Sequence, residues 1–157
     1  MMHPPPSLKA RALRLLATRE HSRAELERKL RDFEATPGEL AQALDALEAK
    51  GFIDAQRVAE SVVHRRAGRL GSARIRQELR DKGLDDDTVA EALAPLLETE
   101  FERARAVWRS RFQAAPADAT ERARQMRFLL ARGFSGDVVR RVLAAAGTRD
   151  DDEDFGS

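Results

Sequence analysis

Between His64 and Gly83 the stretch HRRAGRLGSARIRQELRDKG carries seven cations, Arg65, Arg66, Arg69, Arg74, Arg76, Arg80 and Lys82, against two acids, Glu78 and Asp81. Guanidinium groups bind carboxylates and phosphates through forked, charge-assisted hydrogen bonds. The chain as a whole is nearly neutral, +1 at pH 7 over 157 residues, so the excess is local. Two readings fit it: an ordinary solvated helix face, or a surface for a negatively charged partner.

Helical spacing separates these cations into groups. On a helix from Ser72 to Lys82, Ile75 and Leu79 mark the buried stripe. Arg74, Glu78 and Lys82 stand at i,i+4 with alternating sign, and this spacing predicts a self-satisfied surface row. Arg76 and Arg80 fall on the other flank with no acid at i±4, an uncompensated cationic ridge. Arg65 and Arg66 end the preceding helix at the edge of its Val58–Val62 stripe, and Arg69 lies in the adjoining loop, so they extend the same basic surface. Later in the chain, Arg124, Phe128 and Arg132 are i,i+4 neighbours that set an aromatic ring between two guanidiniums, a combination common at binding hot spots.

Other chemistry is not visible. His3, His21 and His64 are dispersed without an i,i+4 pair or His–Glu ligand spacing, and the chain has no Cys, so no metal site and no disulfide are expected. The glycines of GRLGSAR lack the spacing, the Lys and the preceding strand of a phosphate loop. Asp85, Asp86 and Asp87 read as a helix N-cap and first turn, where the helix dipole favours acids. Trp108, beside Val107, Phe101 and Phe112, reads as a core anchor. The expectation is a protein without catalytic residues or cofactor.

The elements that carry these residues repeat. At an offset of 50, LRDKGLDDDTVAEAL (79–93) lies over LLARGFSGDVVRRVL (129–143), pairing Leu79 with Leu129, Gly83 with Gly133, Asp87 with Asp137 and Leu93 with Leu143. Each copy reads as a helix, a Gly suited to the left-handed C′ position, an apolar residue that folds back, and a new helix start. A weaker copy begins at SRAELERKLRDF, where Ser22 and Glu25 form a capping box. Each hairpin follows a further helical pattern, at 9–19, 55–67 and 98–112.

The fold class is therefore all-α: three tandem three-helix repeats in an elongated, curved array, with units at 8–54, 55–97 and 98–147. Residues 1–7 and the acidic segment 148–157 are expected to be disordered. The repeat also supplies a control on the ridge. The places of Arg76 and Arg80 hold Glu27 and Arg31 in the first unit and Met126 and Leu130 in the third, so the scaffold itself does not demand two arginines.

Composition agrees with this plan. Apolar residues make up 42% and charged ones 35%, with 5% aromatic and no Tyr, so the core must be Leu, Ala and Val. No apolar run reads as a signal peptide or membrane span, and a cytoplasmic, monomeric protein is expected. Five acids, Asp150 to Asp154, sit in the C-terminal segment; without them the remainder carries about +6. An acidic tail beside a basic body competes with a polyanion for it, or serves only as a solubiliser.

The segment GFIDAQRVAESVVHRRAGRLGSARIRQELRDKGLDDDTVAEAL (51–93) resembles the central segment of the RecX family, in its GFID, its Arg-rich helix end, its small loop and its RIRQELRDKGL. The resemblance extends over roughly residues 8 to 147. It implies an all-helical protein that lodges in the groove of the RecA–DNA filament and restrains ATP hydrolysis, strand exchange and repressor cleavage. It departs where Val58 replaces a usual aromatic and where GRLGS replaces a Gly-rich loop with an aromatic. Two function classes remain open from the residues: a regulator of the RecA filament, and a stand-alone protein that binds single- and double-stranded DNA weakly and without sequence preference.

Overall fold

The computed structural model describes the backbone of residues 3–153 and side chains from His3 to Thr148. Eight α-helices occur among them: α1 (Leu8–Thr18), α2 (Arg23–Leu30), α3 (Glu39–Ala49), α4 (Ala55–Arg66), α5 (Ser72–Asp81), α6 (Asp86–Arg111), α7 (Ala119–Ala131) and α8 (Gly136–Glu153). No strand is present among the described residues.

Local sequence explains the helix starts. Side chains of Ser7, Asp54, Asp85 and Asp118 accept the amides of Ala10, Arg57, Thr88 and Glu121 at 2.8–3.1 Å, each relieving an unpaired first-turn N–H. The capping box at Ser22 is complete: Ser22 Oγ accepts the Glu25 amide at 3.1 Å and Glu25 Oε1 accepts the Ser22 amide at 3.1 Å.

The ends follow the expected glycine logic. Gly83 and Gly133 have φ of +78° and +94°, and the next residues fold back, Leu84 N–H to Leu79 O and Phe134 N–H to Leu129 O, both at 3.3 Å. Unit 1 departs here. The place of Gly83 is held there by Glu34, and α2 runs into a 3₁₀ turn (Arg31–Phe33) before the chain leaves it.

Each unit has its own core. Leu26, Leu30, Leu44 and Leu47 centre the first; Val62, Ile75, Leu79 and Leu93 the second; Trp108, Leu129, Phe134 and Val139 the third. Trp108 is an anchor as expected, its indole N–H donating to Gln125 Oε1 at 2.8 Å inside the core.

The three-unit plan holds with one modification. The third helix of unit 2 and the first of unit 3 are a single helix, α6, so the boundary placed at 97/98 from the repeat lies inside continuous helix. No glycine interrupts 86–111, and Pro95 removes one donor without ending the helix. Units 2 and 3 are thus joined by a rigid element, whereas units 1 and 2 meet through side chains.

The backbone of α8 is helical to Glu153, past residue 148 where composition placed the start of a disordered tail. Residues 154–157 of that segment lie outside those described. No helix among the described residues is long and apolar enough to cross a membrane, and no group of three or more His, Asp or Glu converges there to hold a metal ion.

Candidate partner-binding surface

The cations of the central stretch divide according to what they touch. The predicted row of Arg74, Glu78 and Lys82 does not form. Arg74 instead donates to the Ala131 carbonyl at the end of α7, at 2.8 Å. Glu78 takes Arg66 from the end of α4, with two N–O distances of 3.3 Å. Lys82 reaches Glu25 in unit 1 at 3.1 Å. Helical spacing permits the row, but an exposed i,i+4 pair is worth only a few tenths of a kcal/mol. Partners offered by neighbouring helices win, those of Arg66 and Lys82 partly shielded from water.

Arg66, Arg74 and Lys82 are therefore tied into the scaffold. Arg66 and Arg74 line a cleft of about 420 Å³ between α4 and α5, with Leu70 and Glu78. Arg76 and Arg80 are absent from that cleft because they occupy the opposite flank of α5, at roughly +100° and +140° from Ile75. Neither makes an ion pair or side-chain hydrogen bond among the described residues; Arg76 is half-buried and Arg80 exposed. Arg69 is likewise exposed and unpaired, and Arg65 touches only the Ser61 carbonyl one turn back, at 3.3 Å. The four cations of the stretch without an acidic partner among the described residues are Arg65, Arg69, Arg76 and Arg80, while Arg66 is paired with Glu78.

The loop bearing Arg69 is held by a residue that sequence reading missed. Arg103 on α6 donates to the carbonyls of Ala67 and Leu70 at 2.9 and 2.8 Å and to Leu96 at 3.1 Å, with Glu100 3.7 Å away. Burial lowers the Arg103 pKa and the Glu100 charge raises it in part. Glu100 also accepts the Ser72 amide at 3.2 Å and so serves as first-turn acceptor for α5, whose cap residue Gly71 has no side chain. The i,i+3 spacing of Glu100 and Arg103 was visible in the sequence; their reach across 28 to 36 residues was not.

The joint between units 1 and 2 is polar. Glu25 is only 8% exposed and bonds Arg19 at 2.7 Å and Lys82 at 3.1 Å. Burial alone would raise its pKa, but Arg19, the Ser22 amide and Lys82 outweigh it and hold the carboxyl at about 2. Ser22 Oγ donates to the Lys82 carbonyl at 2.5 Å and Arg28 to the Asp81 carbonyl at 3.1 Å. The end of α5 is thereby fixed to unit 1.

In unit 3 the aromatic group assembles, and is larger than predicted. Phe128 meets Phe112 edge to face, with centroids 5.2 Å apart and planes at 85°. Arg132 lies over Phe128 at 4.5 Å. Arg124 does not sit on Phe128 but over Phe112 at 5.6 Å, and it pairs with Glu121 at 3.2 Å. Arg111 stands 5.5 Å from Phe112 and 5.9 Å from Phe128. Arg111 and Phe112 end α6, and no sequence signal placed them against α7.

Three family models match the chain in order: the first three-helix domain of RecX over residues 9–47, the second over 54–93 and the third over 98–143. The regulatory protein RecX of Leptothrix cholodnii is 59% identical over 140 residues, 89% of each chain. That of Ralstonia nicotianae is 51% identical over 150 residues, covering 96% of this chain and 94% of the relative. In fold, the crystal structure of RecX from Lactobacillus salivarius superposes with a TM-score of 0.77 at 23% identity, covering 90% of this chain and 95% of that one. These relatives are regulatory proteins and not enzymes, and this chain, matched by all three domain models in sequence order, belongs to the RecX family.

Proposed function

We propose that this protein acts in the cytoplasm as a regulator of the RecA recombinase, binding the RecA–DNA filament and restraining its ATP hydrolysis, strand exchange and coprotease activity. The observation that carries the site assignment is the division among the arginines. Arg66, Arg74 and Lys82 spend their charge on carboxylates and carbonyls of the scaffold, whereas Arg76 and Arg80, with Arg65 and Arg69, keep theirs for a partner. Arg76 stands where the sister units carry Glu27 and Met126, and Arg80 where they carry Arg31 and Leu130, so the scaffold itself does not call for the pair. Arg124, Phe128 and Arg132, with Arg111 and Phe112, supply a second contact of mixed aromatic and cationic character.

The test is RecA-dependent ATP hydrolysis on single-stranded DNA, titrated with the parent protein and with an Arg76→Glu, Arg80→Glu variant checked for folding by circular dichroism. The variant is expected to lose inhibition at concentrations where the parent is saturating. Inhibition at the parent concentration would make the ridge a solvated face. The DNA-binding reading is supported by the basic body of the chain, and predicts instead equal affinity for DNA with and without RecA, falling steeply with salt.

A further inference from the structure

Unit 2 carries a second surface of opposite character to its arginine ridge. Between α4 and α6 lies a cleft of about 460 Å³, floored by Ala59, Val63, Ala92 and Pro95 and rimmed by Glu60 and Glu91. On α4 the floor residues stand at i,i+4, and on α6 the lining runs Thr88, Glu91, Ala92, Pro95, one face of each helix. Glu60 and Glu91 are exposed and neither forms an ion pair among the described residues; Glu91 only accepts from Gln56, at 3.3 Å. Gln56 and His64 also line the cleft, and no Lys or Arg does. On a chain whose body is basic, this is a local reversal of charge.

Pro95 adds an independent feature. It sits inside α6 and has no N–H, so the carbonyl of Glu91, four residues earlier, lacks its helical donor. Glu91 and Pro95 both border the cleft. The helix therefore offers one backbone acceptor, beside two carboxylates without an ion pair among the described residues, over an apolar floor.

We propose that this cleft is a docking site for a basic segment of the protein partner: an apolar side chain seated on Ala59, Val63 and Ala92, with flanking Lys or Arg at Glu60, Glu91 and the Glu91 carbonyl. The volume is in the range that takes a few side chains. A nucleic acid strand is disfavoured, because its phosphates would face two unpaired carboxylates. The proposal rests on the reading of the partner as the RecA filament and assigns its protein component to the cleft, leaving the anionic surfaces to the Arg76–Arg80 ridge on another helix.

The experiment measures binding to RecA filaments formed on single-stranded DNA with a slowly hydrolysed ATP analogue, and separately to the same DNA bare. A Glu60→Lys, Glu91→Lys variant, folded because both side chains are exposed and unpaired, is expected to bind the filament at least tenfold more weakly and bare DNA as well as or better than the parent. Pro95→Ala, which restores the helical donor to Glu91, is expected to weaken filament binding several-fold while raising the melting temperature. Filament affinity within twofold of the parent in the folded Glu60/Glu91 variant overturns the cleft, while loss in the Arg76/Arg80 variant alone leaves the ridge reading standing. A parent that binds filament no better than bare DNA overturns the regulatory reading, and the cleft proposal with it.

Discussion

The amide of Gly71 donates a 2.8 Å hydrogen bond to the carbonyl of Arg132, and Ala73 donates to Gly133 at 3.2 Å, so main chain stitches the start of α5 to the end of α7 beside the Arg74 side chain. This contact requires glycine on one side. A methyl group at Gly71 would fall on the backbone of Gly133, whereas one at Gly68, three residues earlier, would meet nothing within 4 Å. Gly71→Ala is therefore expected to destabilise by about 1–3 kcal/mol, the range for overpacking a closed site. Gly68→Ala should be near neutral. Urea unfolding of both variants, followed at Trp108, checks the contrast.

Glu25 makes stability depend on acid. Its folded pKa of about 2 lies below the ordinary 4.5, so the unfolded chain binds its proton first. The stabilisation is complete above about pH 4.5 and is lost as pH falls towards 2. Its size is roughly 3 kcal/mol from a shift of this magnitude at 1.36 kcal/mol per unit. His21, buried and held between the Arg19 carbonyl and Lys29, has a pKa lowered by desolvation, and so begins to destabilise as pH falls below 6.5. Chemical unfolding measured from pH 7 to pH 2 should show both losses. Glu25→Gln should remove the lower one and lower stability at pH 7.

Arg103 is expected to resist conservative replacement. Arg103→Lys keeps the charge but cannot span three carbonyls with one ammonium group in place of a planar fork. It leaves the partly buried carbonyl of Ala67 or Leu70 unsatisfied, at a cost of about 1–3 kcal/mol. Because Arg69 rides on the loop that Arg103 holds, the variant should also inhibit RecA more weakly than its residual stability accounts for. Thermal melts beside the ATPase titration separate the two effects.

Deleting residues 150–157 removes five negative charges and raises the net charge from +1 to about +6. Affinity for bare DNA should rise at low salt, and the gain should fade as ionic strength approaches a level where screening acts within about 10 Å. Equal affinity of the two proteins at low salt would leave the segment a solubiliser.

Helix starts and stops were legible in the sequence because they depend on neighbours within four residues. Ser22 with Glu25, Asp85 with Thr88, and the left-handed Gly83 and Gly133 act locally, and an offset of 50 exposed the repeated unit. The Ile75–Leu79 stripe and the flank bearing Arg76 and Arg80 follow from the 100° helical step in the same way. What each cation bonds to was decided only by tertiary structure. Arg74, Lys82 and Arg66 had eligible partners along their own helix or none in view, yet they pair with Ala131, Glu25 and Glu78, because packing brings acceptors from other helices to long side chains whose local pairs are worth little in water. The fusion of two predicted helices into α6 belongs to the same class. A helix ends where the next unit lets the chain turn, and between Asp86 and Arg111 packing on both sides, against α4 and α5 and then against α7 and α8, gives it no reason to stop.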